Sequence, residues 1–161
     1  MPPHVLPSFG LMHSVTHRFN DLDTVIDSLH ELFDEWSVSA ETGPDFDETT
    51  FDRAKLAIHE WVANLVQHAD FGAETPRVGL TARLEENTVF CCIEDNSSGF
   101  DFEGQIALRE HALQAFPERG MGLLMLRACS ESLTYEQVSG SVNRLCFTVA
   151  ADQDPWLNIP F

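Results

Sequence analysis

The chain has 161 residues, 26 acidic against 9 basic, a formal charge of −17, and a 43% hydrophobic fraction that includes 12 Phe. That hydrophobic content supports a packed core and excludes global disorder, and the length suits one ordinary domain. A surface so acidic repels polyanions, which argues against direct nucleic-acid binding, and no apolar run approaches the length that crosses a bilayer.

The N-terminal stretch MPPHVLPSFGLMH has neither the basic start and unbroken apolar segment of a secretory signal nor the arginine of a transit peptide. The expectation is a cytoplasmic protein with no membrane association. Residues 1–11 are Pro-rich and expected to be flexible, and the domain is expected to span 12–150. Met12 to Phe19 alternates as a strand does. Asn20 or Asp21 can cap a helix in which Leu22, Val25, Ile26, Leu29, Leu32, Phe33 and Trp36 follow the helical period. Ser37 to Thr50, with Gly43-Pro44 at its centre, reads as a loop whose Asp47, Thr49 or Thr50 caps the next helix.

That next helix organises the chain. In LAIHEWVANLVQHADFG, Leu56 to Gly72, apolar residues recur at three- and four-residue steps, while Glu60, Asn64 and His68 stand four apart in a polar column. Such a column is ordinarily solvated surface. Gly72 suits the helix end. Arg77 to Leu84 and Thr88 to Glu94 form an expected antiparallel hairpin, and TVFCCIE, apolar on both faces, is expected to be a central strand. Residues 104–118 are weakly helical at best. Glu118 to Glu131 runs from Gly120 and Gly122 into an apolar helix, SLTYEQV and NRLCFTVA close the domain as a hairpin, and 151–161 form a tail. The four cysteines, Cys91, Cys92, Cys129 and Cys146, lack metal-ligand spacing and are expected to be buried thiols, with Cys91 and Cys92 on opposite faces of their strand.

Two further stretches carry chemistry. Asp95 ends the central strand and enters the turn DNSSG. A carboxylate there can accept from an exocyclic amine, which selects adenine over guanine, and Gly99 lets the backbone approach a flat ligand. Arg119-Gly120-Met121-Gly122 precedes a helix, whose free N–H groups and dipole attract phosphate. Each is weak alone, since DxxxG also fits an ordinary acidic turn and the glycines match neither a P-loop nor GxGxxG.

Taken in order, ExxxNxxxHA, a strand ending in DxxxGFD, and RGxGL before an apolar helix and a final hairpin resemble the GHKL ATP-binding superfamily of gyrase, histidine kinase and MutL type. Within it, the chain is similar to the anti-sigma-factor serine/threonine kinases of RsbW and SpoIIAB type, over roughly Met12 to Ala150. The resemblance implies an α/β (α+β) two-layer sandwich, a mixed and mostly antiparallel sheet with helices on one face, the Bergerat-type ATP-binding fold. It also implies ATP and Mg²⁺ as cofactors. Asn64 would coordinate the metal, Glu60 would be the general base, Asp95 would receive the adenine amine and Gly99 would admit the base. Arg119, Gly120 and Gly122 would hold the phosphates beneath a short lid, residues 101–118. Implied partners are an anti-anti-sigma STAS-domain protein, a sigma factor and a second copy of the chain in a homodimer.

Two positions depart from the pattern. Ser97 stands where the family has glycine, and the glycine-threonine that often opens the closing strand is replaced near Asn143-Arg144. If position 97 needs a left-handed backbone, serine costs about 1 to 2 kcal/mol, or roughly ten-fold in affinity. The alternative expectation is therefore a non-catalytic module that sequesters a protein through an eroded nucleotide pocket, or an ATP-binding accessory to a neighbouring phosphatase or sensor.

Overall fold

The computed structural model describes residues 14–40, 47–86, 88–115 and 121–150. Five strands and four helices occur in the order β1 (Ser14–Phe19), α1 (Val25–Ala40), α2 (Glu48–His68), β2 (Val78–Glu85), β3 (Thr88–Asp95), α3 (Phe102–Ala115), α4 (Met121–Cys129), β4 (Ser132–Ser139) and β5 (Val142–Ala150). The strands form one sheet in the order β1-β2-β3-β5-β4. Every pairing is antiparallel, so the mostly antiparallel sheet expected from the sequence has no parallel pair among the described residues. β3 is central, as its apolar sequence predicts.

Alternation divides the sheet into two faces. Val78, Leu80, Ala82, Leu84, Val89, Cys91, Ile93, Leu145, Phe147 and Val149 are buried and join the helices in one core. Thr81, Arg83, Phe90, Cys92, Glu94, Arg144, Cys146 and Thr148 occupy the other face and are half-buried or exposed. There Arg83 lies 4.4 Å over the Phe90 ring, and Arg144 pairs with Glu94 through Nε and Nη2.

On this face the cysteine expectation is corrected. Cys92 and Cys146 sit directly opposite in the β3–β5 register, with Cα atoms 4.2 Å apart, and form a disulfide. Cys91 and Cys129 are the buried free thiols. Adjacent Cys91 and Cys92 do point to opposite faces, but which partner strand lies beside them is a matter of register, which cysteine spacing does not reveal.

Helix boundaries also moved. α1 runs to Ala40, past the expected stop at Trp36, because buried Ala40 extends the stripe of Val25, Leu29, Phe33 and Trp36 by another turn. Tertiary burial outweighs the weak helix preference of Ser37, Val38 and Ser39. α2 begins at the expected cap: Asp47 Oδ1 accepts from the Thr50 N–H and from its hydroxyl, both at 2.8 Å. These bonds hold the Asp47 carboxyl below its ordinary pKa. The helix stops at His68, before Gly72, whose φ of +61 serves a turn in which its N–H donates to Asp70 Oδ1. α3 is a full helix where the sequence predicted little. Asp101 starts it, its side chain accepting from Gly104 N–H and its carbonyl from Gln105 N–H. Its pattern is weak because Ile106 is buried while Leu108 is 62% exposed.

Candidate functional site

Asp95 is the last residue of β3, faces the helical layer and is 3% exposed. Its partners in register are Val78 on β2 and Asn143 on β5. Asp95 Oδ1 accepts from the Ser97 N–H at 2.9 Å, from the Ser97 hydroxyl, and from Asn143 Nδ2 at 3.2 Å. Asn143 Nδ2 also donates to the Ser97 carbonyl at 2.8 Å. Asp95 Oδ2, equally buried, has no partner. A buried carboxylate oxygen left unsatisfied is costly, and a ligand N–H is the group that would relieve it.

The turn after Asp95 is shaped by Gly99. Its φ is +99, which a side-chain-bearing residue rarely adopts, and a Cβ there would stand 3.2 Å from Asn143 Oδ1 and 3.9 Å from the Tyr135 hydroxyl. Ser97, by contrast, does not have a positive φ, since Glu86 is the described non-glycine residue that does. The left-handed backbone that would have penalised serine is not required.

The turn is anchored to the segment after α2 by a hydrogen bond and to α2 itself by a ring contact. The Ser98 N–H donates to the Asp70 carbonyl at 2.8 Å. Trp61, buried in the middle of α2, packs edge-on against Phe100 at 5.8 Å and against Tyr135 at 5.5 Å. Burial, with a further contribution from the Asp95 charge, pushes the Tyr135 hydroxyl up to about 12. Asn96 ties the strand tip to the segment leading into β2: its Oδ1 accepts from the Arg77 N–H at 2.7 Å and its Nδ2 donates to the Thr75 carbonyl at 3.0 Å.

The other end of the site is helical. Glu60 and Asn64 are half-buried on α2, one turn apart. Gly122, in the first turn of α4, lies against Glu60 so closely that a Cβ on it would come within 2.6 Å of Glu60 Oε2. Burial raises the pKa of the Cys129 thiol on α4, Arg53 opposes it, and the Glu60 carboxylate adds the smallest, upward contribution. The spacing of the polar column thus carries Glu60 to the first turn of α4, and Asn64 lies one turn nearer the C-terminal end of α2, after which Asp70 bonds to the Asp95 turn. Arg119 and Gly120 lie outside the described residues, as do 116–118 of the expected lid.

Asn143 and Asn96 were missed by the sequence reading of the site. Asn143 sits mid-hairpin, and only the pairing of β5 beside β3 brings it to Asp95. A cavity of about 200 Å³ also opens at this end of the sheet, lined by Arg18, Gly79, Glu94, Asn96 and Val142 among others. Arg18, Gly79 and Glu94 belong to the face away from the helices, but Val78 and Asp95 of the helical face line the cavity too, so it opens at the strand tip itself, with neither Glu60 nor Gly122 in its wall.

A buried carboxylate at the tip of a central strand, a glycine turn, and a helix carrying acidic and amide side chains beside a second, glycine-started helix together suit an adenine nucleotide. The sequence profile of the histidine kinase-like ATPase domain matches residues 22–149, from the approach to α1 to the end of β5. The match covers most of the chain, and the protein belongs to that family, whose fold implies ATP as ligand. No curated protein matches the sequence. Among the described residues no helix is long and apolar enough to cross a membrane.

Proposed function

We propose that the protein is a Mg-ATP-dependent serine/threonine kinase and anti-sigma factor that phosphorylates an anti-anti-sigma partner of STAS type. The observation that carries this reading is the contact between Glu60 and Gly122: a carboxylate stands at the head of a glycine-started helix, where phosphate oxygens are best received. In this role Asp95 Oδ2 accepts the adenine amine, Gly99 gives the base room, and Asn64 offers its amide oxygen as a hard ligand for Mg²⁺. Bound Mg²⁺ would neutralise charge on the phosphates. Arg119, Gly120 and Gly122 hold those phosphates, and α3 with the residues after it serves as the lid.

Glu60 then acts on the acceptor. The serine or threonine hydroxyl oxygen attacks the γ-phosphorus, its proton passes to the Glu60 carboxylate, and the bond to the β–γ bridging oxygen breaks to release ADP. A protein of charge −17 gathers such an anionic ligand only through a local site, which the α4 N-terminus and Arg119 supply. A sigma factor and a second copy of the chain complete the proposed partners. The rival reading, a sequestering module with an eroded pocket, drew on strain at Ser97, and no left-handed backbone is present there.

The test is transfer of label. The purified protein is incubated with γ-labelled ATP, Mg²⁺ and a fractionated extract of the native cell. The expected result is a labelled phosphoserine or phosphothreonine on a small protein, abolished by Glu60→Gln although that variant still binds ATP. Saturable ATP binding without label on any hydroxyl residue would remove the kinase and leave the ATP-binding accessory, while no saturable binding would leave the sequestering module.

A further inference from the structure

Three donations converge on one oxygen of Asp95 and none on the other. A carboxylate can accept at both oxygens, and two equivalent orientations about its terminal torsion would normally share the donors. Here the Ser97 hydroxyl and the Asn143 amide remove that freedom. They are also bonded to one another's neighbourhood: Asn143 Nδ2 reaches the Ser97 carbonyl at 2.8 Å and the Ser97 hydroxyl at 3.5 Å, and the Gly99 N–H donates to that hydroxyl at 3.3 Å. The partners of Nδ2 are all oxygens that can accept, which fixes the Asn143 amide with its N–H end toward Asp95 and its Oδ1 toward Gly99. Asn143 is 1% exposed and Ser97 is 5% exposed, so water does not compete for these bonds.

We propose that Ser97 and Asn143 are a coupled pair of positioning residues that hold Asp95 through Oδ1, so that Oδ2 alone is presented to the exocyclic amine, and that the pair thereby sets the preference for a 6-amino over a 6-oxo purine. This rests on the ATP-binding reading of the site. Serine at 97 then strengthens recognition where the family comparison alone suggested erosion. The two residues act as a unit because each fixes the other as well as the carboxylate, and loss of either frees Asp95 to rotate.

The test is calorimetric titration of the parent protein, Ser97→Gly, Ser97→Ala, Asn143→Ala and the Ser97→Ala/Asn143→Ala double variant, each with Mg-ATP and with Mg-ITP. ITP carries a carbonyl where ATP carries the amine. Each single substitution is expected to weaken ATP about ten-fold and to change ITP by less than about three-fold, so that the ATP-to-ITP ratio collapses. The double variant is expected to be no weaker for ATP than the weaker single one, the signature of coupled sites. Thermal melts of each variant separate this from damage to the fold, and the two Ser97 substitutions carry the test if Asn143→Ala does not fold. An unchanged ratio in Ser97→Gly and Ser97→Ala would overturn the proposal while leaving ATP binding intact, as would equal losses for both nucleotides. A parent protein with no saturable ATP binding would overturn the nucleotide reading and this one with it.

Discussion

At the strand tip, Asp95 and Asn143 are paired in antiparallel register, and they and Ser97 are held by hydrogen bonds sealed from water. At the helical end, Glu60 and Asn64 are half-buried and owe their position to the packing of α2 against α4. The first end is rigid before any ligand arrives, because β3 and β5 cannot slip by one residue without turning Asp95 and Asn143 to the opposite face. The second depends on how two helices sit on each other. On the proposed function, the strand tip distinguishes one purine from another and gains from fixed geometry, while the helical end handles a transferring phosphoryl and needs room for acceptor and product.

The two ends should therefore fail differently when altered. The largest effect is expected at the helical end: Glu60→Gln should lower phosphoryl transfer by about 10² to 10⁴-fold while ATP affinity, measured by calorimetry, stays near the parental value. Affinity falling in step with transfer would dissolve the distinction between the ends. Gly122→Ala sharpens it. The added methyl would stand 2.6 Å from Glu60 Oε2, so the carboxylate must shift, and a displacement near 1 Å is expected to cost transfer about ten- to a hundred-fold, read as kcat with a melting temperature close to the parent's.

Much of this was legible before the fold was in hand. Periodicity revealed the organising helix, and the four-residue spacing of Glu60 and Asn64 placed them on one line. The end of an apolar strand singled out Asp95. What remained hidden depended on pairing between distant segments. Cys92 and Cys146 are 54 residues apart in sequence yet face each other, and Asn143 reaches Asp95 by the same β3–β5 register. α3 was obscured for a different reason: Ile106 is buried while Leu108 is exposed, so no broad apolar stripe marks it, and its start depends on the Asp101 cap.

Smaller effects test the scaffold under each end. Asp47→Ala removes the cap of α2 and should cost about 1 kcal/mol, a drop in Tm of about 3 °C for a chain of this size. The folded-state pKa of Asp47 is depressed, so its contribution is present above the ordinary carboxyl value of about 4 and is lost as pH falls through the lower, folded value. The difference between parent and variant should therefore vanish in acid. A gap that persisted there would mean the cap acts without its charge. Tyr135 works in the other direction. Its folded pKa lies near 12, above the unfolded value of about 10, so its contribution is complete below pH 10 and is lost as pH rises toward 12. Tyr135→Phe should flatten the alkaline fall in stability across that window, and an unchanged profile would locate the alkaline transition elsewhere.

The claim on which the rest depends is that Asp95 receives the base of a bound adenine nucleotide. Titration of the parent protein and Asp95→Asn with ATP in the presence of Mg²⁺ tests it most directly. Saturable binding by the parent, weakened about ten- to a hundred-fold in the variant with the fold retained, is the expected result. Equal affinity in the two proteins, or no saturation of the parent at millimolar nucleotide, would contradict it.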